Sequence, residues 1–280
     1  MNSLIETAQL LDRLHSKDLR VLDVRTVISN PQGGRQMYQH SHIPGALHVD
    51  LERDLCGTIQ PGVTGRHPLP PATQLIEKIQ GWGISEQTQV VVYGAHSDMF
   101  AARLWWSLAA WMNHRHTTVL HGGFHAWQKA GLPVQTEPSE YPRTTYRPCP
   151  QESAVAQASD VLASADGGTA LLDARGYERY CGDRERLDSV TGHIPGAVCC
   201  SAAANIDDDG YFVDRETLAR RFGKWGSCAA ISYCGSGLNA CHNILAMQLC
   251  GYRLPRLYAG SWSEWITDPH RKIAYGPTSD

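Results

Sequence analysis

The sequence predicts an α/β protein built from two tandem copies of one domain, each a mainly parallel sheet with helices on both faces. Three observations carry this. Four motifs recur in the same order along the chain: "VLDVR" (21–25) and "LLDAR" (171–175), "SHIPGALHVD" (41–50) and "GHIPGAVCCS" (192–201), "VVVYG" (90–94) and "AISYC" (230–234), "LHGGFHAW" (120–127) and "LYAGSWSEW" (257–265). A repeat this long is a duplicated domain rather than a solenoid unit. The apolar runs are short, lack strict alternation and are separated by helical patterns, as strands buried on both faces are. Between the copies lies "TEPSEYPRTTYRPCP" (136–150), whose prolines fix φ and remove amide donors. The expected organisation is a first domain over 1–135, an extended linker over 136–150 and a second domain over 151–280.

The first copy reads element by element. Ser3-x-x-Glu6 has the spacing of a capping box, ahead of an apolar 3–4 period running to His15. A short strand follows, ending at Asp23; then the His-Ile-Pro-Gly-Ala turn, another strand, and a helix near 71–82. "QVVVY" (89–93) is a strand leading into the helix "MFAARLWWSLAAWM" (99–112), whose Trp105, Trp106 and Trp111 are expected in the core. The second copy inherits these assignments through the repeat. Asp23 and Asp173 each precede an arginine by two residues, which predicts local ion pairs. His193, in the second His-Ile-Pro-Gly-Ala turn, is expected to be a structural donor.

The bulk numbers exclude several classes. A net charge of −3 over 280 residues recruits neither nucleic acid nor an anionic membrane wholesale. No segment approaches the roughly 18 uninterrupted apolar residues of a membrane span. The N-terminal "MNSLIETAQLLDRLH" has helix periodicity and acidic residues rather than the pattern of a signal peptide. Nine cysteines, an odd number with no CxxC pair, argue for reduced thiols and a cytoplasmic location. The histidines around "HRH" (114–116) fit no closed zinc set, and no metal is expected.

The chemistry concentrates in "ISYCGSGLNACHN" (231–243). Gly235, Gly237 and Ala240 fit G-x-G-x-x-G/A, but a dinucleotide site needs an acid at the end of the next strand, and "PRLYAG" (255–260) holds none. A phosphatase-type loop needs an arginine six residues after its cysteine; Ala240 stands there. What remains is a strand-to-helix loop in which glycines let the amides of residues 235–240 converge on the Cys234 sulfur. Such a nest stabilises a thiolate and can hold a second sulfur on it as a persulfide.

"CGSGLNACH", "LDAR…ERY…GHIPGA" and "YAGSWSEW" resemble the catalytic half of a two-domain rhodanese-type sulfurtransferase. "HIPGA", "RLWW" and "HGGFHAW" resemble that family's non-catalytic copy, in which Gly94 replaces the nucleophile. The resemblance implies two rhodanese-like domains and an enzyme that needs no cofactor. A small anionic donor would load sulfane sulfur on Cys234, and a thiol or cyanide, thioredoxin among the thiols, would take it away. It also implies donor-binding roles for Arg179 in "ERY", Arg186 seven residues before His193, the loop Gly235, Ser236, Gly237, Leu238, Asn239 and Ala240, and His42. Leu238-Asn239 stand where the family usually has Val-Thr. Neutral Gly235-Ser236 resemble the loops of mercaptopyruvate-type members, so 3-mercaptopyruvate is the expected donor. Thiosulfate is the alternative, and a non-catalytic sulfur-carrier or interaction module is the alternative of another class.

Overall fold

The structure, a computed structural model, describes residues 3–164 and 167–277. Its first sheet is wholly parallel in the order β1-β5-β4-β2-β3, from Leu4–Ile5 (β1), Leu19–Asp23 (β2), Ala46–His48 (β3), Gln89–Tyr93 (β4) and Thr117–Leu120 (β5). Its helices are Thr7–Leu11 (α1), Gly33–His40 (α2), Leu51–Leu55 (α3), Ala72–Gly81 (α4), Met99–Trp105 (α5) and Gly123–Lys129 (α6), with α5 continuing as a π-helical segment over Trp106–Trp111. The second sheet repeats the topology as β6-β10-β9-β7-β8, using Val155–Ala156 (β6), Thr169–Asp173 (β7), Ala197–Cys199 (β8), Ala229–Tyr233 (β9) and Arg256–Tyr258 (β10). Its helices are Ala158–Ser164 (α7), Tyr177–Cys181 (α8), Arg215–Phe222 (α9), Leu238–Leu249 (α10) and Ser261–Trp265 (α11).

The two cores use matching residues. Tyr38, Ile43, Ala46, Val91 and Tyr93 pack in one, and Tyr180, Ile194, Ala197, Ile231 and Tyr233 in the other. The expected aspartate–arginine pairs are present and fully buried. Arg25 forks onto Asp23 and donates to Ser41 O at 2.6 Å; Arg175 forks onto Asp173 and donates to Gly192 O at 2.8 Å. Each pair ties the end of a central strand to the residue ahead of the His-Ile-Pro-Gly-Ala turn. Ion pairs this dry persist because every carboxylate oxygen finds an N–H.

Two expectations are corrected. Ser3 caps no helix: it is buried, its carbonyl accepts from Val119 N at 2.8 Å as β1 joins the sheet, and Glu6 caps α1 through a box with Gln9. Pairing in the sheet satisfies Ser3's backbone, so the cap moves three residues on. The compact units are also not contiguous halves. One comprises 1–57, 70–151 and 207–212; the other 58–69, 152–206 and 213–280. The proline-rich stretch is packed rather than a spacer, with Tyr141 stacked under Arg20 at 3.9 Å and Thr144 N donating to Gln80 O at 3.0 Å.

Candidate active site

Cys234 lies just past the end of β9, and α10 starts four residues later. The intervening turn needs Gly237 in the left-handed region, φ +84°, which an L side chain adopts only with strain. That conformation aims the Gly237 N–H at the Cys234 sulfur, 3.1 Å away. Gly235, Ser236, Leu238 and Ala240 are buried around the sulfur, and Asn239 is half-buried; Leu238, Asn239 and Ala240 form the first turn of α10, the end of a helix that favours negative charge.

The loop is braced from α11. Trp262 N donates to Cys234 O and Ser263 N to Gly235 O, both at 3.0 Å, while Ser261 Oγ accepts from Cys234 N at 3.1 Å. Ser261 is itself left-handed, φ +55°, and its hydroxyl donates to Tyr258 O at 2.8 Å. At the loop the left-handed positions are Gly237 and Ser261, both of which hold the nucleophile's backbone still.

Arg179, on α8, is in the site. Its guanidinium donates to Glu185 Oε2 at 2.9 Å and to Asp188 Oδ2 at 3.0 Å. Arg66, from segment 58–69, joins it by donating to the other oxygen of Asp188. The segment is docked by a 3.1 Å bond from Arg66 N to Ser263 Oγ, and Gly65 lies so close to Gly260 O that a β-carbon would collide with it. The two guanidiniums meet above Gly235: a β-carbon there would lie 3.0 Å from Arg66 Nη2 and 3.3 Å from Arg179 Nη2. Glycine at 235 therefore lets the two guanidiniums sit directly over the loop that carries the sulfur.

Burial raises the Glu185 carboxyl, but N–H groups of Leu187 and Arg186 and the Arg179 guanidinium win and hold it below its ordinary pKa. For Asp188 burial wins, and its pKa is raised against the pull of Arg66 and Arg179. Next residue along from Arg66, His67 places Nδ1 2.8 Å from Ser236 Oγ.

Two further residues expected to bind the donor have other surroundings. His42 is fully buried in the first unit, its ring stacked on Tyr38 at 3.8 Å, with Nδ1 2.7 Å from Tyr38 O and Nε2 3.2 Å from Glu137 O. Its counterpart His193 stacks on Tyr180 at 3.8 Å and bonds Tyr180 O in the same way. Both histidines lock a turn. Arg186 is exposed, and its guanidinium makes no ion pair among the described residues; only its backbone N–H serves the cluster, on Glu185 Oε1 at 2.9 Å.

Sequence reasoning missed Arg66, His67, Glu185 and Asp188. "GRHPLP" (65–70) has no strand or helix period and belongs by position to the first copy, while the two acids lie among arginines in "DRERLD" with no motif to mark them.

The rhodanese-like domain family matches residues 6–130 and 157–268. The chain belongs to the two-domain rhodanese-type sulfurtransferases. It is 44% identical to a "probable 3-mercaptopyruvate sulfurtransferase" of Pseudomonas aeruginosa over 98% of both chains. It is 31% identical to the thiosulfate sulfurtransferase of Rattus norvegicus, over 98% of this chain and 96% of the other. Among solved structures, the 3-mercaptopyruvate sulfotransferase SseA from Escherichia coli superposes with a TM-score of 0.82 at 25% identity, covering 94% of this chain and all of the other. A rhodanese-type sulfurtransferase passes sulfane sulfur through a persulfide on its loop cysteine, and in this chain the loop cysteine is Cys234.

Proposed function

We propose that the preferred donor is 3-mercaptopyruvate. The carrying observation is the Ser236 hydroxyl, held by His67 Nδ1 at 2.8 Å two residues from the nucleophile, in a loop whose side chains at 235 and 236 carry no charge. The donor's carboxylate is taken by the guanidiniums of Arg66 and Arg179 over Gly235, a bidentate task suited to guanidinium. The Cys234 thiolate attacks the donor sulfur: an S–S bond forms, the C–S bond breaks, and its electron pair passes into the carbonyl as an enolate. With His67 Nδ1–H donating to Ser236 Oγ, the Ser236 proton is free to bond that enolate oxygen, where charge develops. Protonation at carbon gives pyruvate. The Gly237 amide and the α10 N-terminus hold the persulfide until a thiol or cyanide attacks its outer sulfur, which breaks the S–S bond and returns the Cys234 thiolate.

Thiosulfate is the second reading, favoured by the two guanidiniums above Gly235, which also suit a sulfonate. Two further parts belong to the proposal: thioredoxin as a thiol acceptor, and a cytoplasmic location, supported by nine free cysteines. The test is kcat/KM for both donors side by side, with cyanide and with thioredoxin accepting. 3-Mercaptopyruvate is expected to be the faster donor, with one added sulfur mapped by mass to Cys234 and no transfer by Cys234→Ser. A faster rate with thiosulfate would reverse the assignment.

A further inference from the structure

The anion site above Gly235 contains more than its two cations. Asp188 bridges them, one oxygen accepting from Arg66 Nη1 and the other from Arg179 Nη2, while Glu185 accepts from Arg179 Nε. Both carboxylates are almost completely covered, with side-chain exposures of 3% for Asp188 and 1% for Glu185. Each arginine thus spends one side of its guanidinium on an acid and keeps another nitrogen, Arg66 Nη2 or Arg179 Nη1, over Gly235, 3.0 and 3.4 Å from where a β-carbon would lie. A guanidinium has five N–H donors in a rigid fork, so it can serve both sides at once. The geometry of a two-arginine clamp is kept, yet two positive charges face two negative ones. The buried Arg175–Asp173 pair behind Glu185 is itself balanced.

We propose that Asp188 is a donor-specificity residue, setting the two arginines in register and cancelling their field so that the site accepts a monoanionic donor and disfavours a dianionic one. This rests on the reading of the site as the donor site of a sulfurtransferase. A carboxylate donor needs the N–H groups and gains them. A thiosulfate dianion needs the same groups plus net positive charge, and finds Asp188 directly behind the guanidiniums it must bind. Donor choice is therefore made by the acid behind the arginines together with the neutral loop in front of them.

Asp188→Asn removes the charge and keeps one acceptor oxygen for an arginine. The expected result is a ratio of kcat/KM, thiosulfate over 3-mercaptopyruvate, that rises about tenfold or more, with the thiosulfate value itself rising and the gain shrinking as salt is added. A fall with both donors would make Asp188 only a positioning residue, and an unchanged ratio would remove it from specificity; either overturns the proposal. A second measurement needs no variant. Sulfate and methanesulfonate share a sulfonyl geometry and differ in charge, and calorimetry on the wild-type protein compares them. Methanesulfonate should bind at least as well as sulfate. Tighter sulfate, as a bare pair of arginines would give, or no binding of either anion, refutes the charge balance. Absence of sulfur transfer from both donors in the wild-type enzyme would instead defeat the functional reading and leave the anion comparison to judge the site.

Discussion

Ser236→Ala separates the two donors by their chemistry. Ser236 is 7% exposed, and the substitution deletes one atom, the hydroxyl oxygen that meets His67 Nδ1 at 2.8 Å. The backbone turn survives because the left-handed residue is Gly237, not Ser236, and the Gly237 N–H still points at the sulfur. What is lost is a donor aimed at an oxygen that becomes charged only as the C–S bond breaks. Removing one such donor costs about 10²–10³ in kcat, about 2.7–4 kcal/mol. Since the hydroxyl is shared with His67, the low end applies, about a hundredfold with 3-mercaptopyruvate. Thiosulfate has no carbonyl, so only a small packing loss is expected, about threefold or less, consistent with a substitution that removes one atom.

Discharge of the persulfide to cyanide is common to both donors and would mask the effect wherever it limits turnover. The assay is therefore single-turnover sulfur loading, quenched and read by intact mass, with each donor in turn. His67→Gln should follow Ser236→Ala in direction, because it removes the group that leaves the Ser236 proton free. An equal loss with both donors would refute the reasoning, since the pair would then act on the cysteine rather than on the donor's carbonyl.

Arg179→Ala should lower kcat/KM about ten- to a hundredfold with either donor, from the loss of a charge-assisted hydrogen bond of about 1.5–3 kcal/mol. It should also lower stability in denaturant titration, because buried Glu185 loses its nearer cation and keeps only Arg175 at 3.8 Å. Arg66→Ala should weaken both donors in the same way, chiefly through KM if the bond is present before and during reaction; unchanged KM values would place Arg66 outside the donor site. Gly94→Cys should not create a second persulfide site. A β-carbon there collides with both carboxylate oxygens of Asp98, so the variant should melt lower, and sulfur appearing on residue 94 by mass would contradict the packing. Among the other thiols, burial raises Cys200 to about 12 and Cys199 to about 11. About one Cys200 thiol in ten thousand is ionised at pH 8. Label or sulfur at Cys200 before Cys234 would overturn the assignment of the nucleophile.

The duplicated sheets were legible because both copies kept the residues that build them. The Asp-x-Arg pairs, the His-Ile-Pro-Gly-Ala turns and the tyrosines ending β4 and β9 do the same structural work twice. Cys234 and Gly237 were legible for a local reason, since the loop's geometry is written in consecutive residues. The shared surroundings of His42 and His193 were legible from the repeat, which makes them twins in the same turn. Arg66 and His67 were not legible at all. They follow no periodicity, they have no twin, and the fold carries their segment across the sequence boundary between copies to pack on α11. Asp188 was hidden for a different reason. Acids and arginines alternate in "DRERLD" (183–188), and only the fold shows that two of the acids are inside while Arg184 and Arg186 are outside.

The first copy shows what in the loop is scaffold and what is chemistry. Gly94 follows β4 as Cys234 follows β9, and α5 starts a few residues later as α10 does. The amides of that turn still converge on an anion, but the anion belongs to the chain. Asp98 accepts from Ala95 N at 2.9 Å and from Phe100 N and Ala101 N at 3.0 Å, and its carboxylate fills the space a side chain at 94 would need. Burial pushes this carboxyl above its ordinary pKa, and the surrounding N–H groups pull it back. A nest of amides is thus a property of the strand-to-helix turn in both copies, and by itself performs no reaction. In the second copy the position of Asp98 is taken by Leu238, which carries no anion of its own, so the amides are left for the sulfur of Cys234 and for whatever sulfur it carries. The nucleophile therefore needs two conditions together, a cysteine at the strand end and an apolar residue four positions on, and only the second copy meets both.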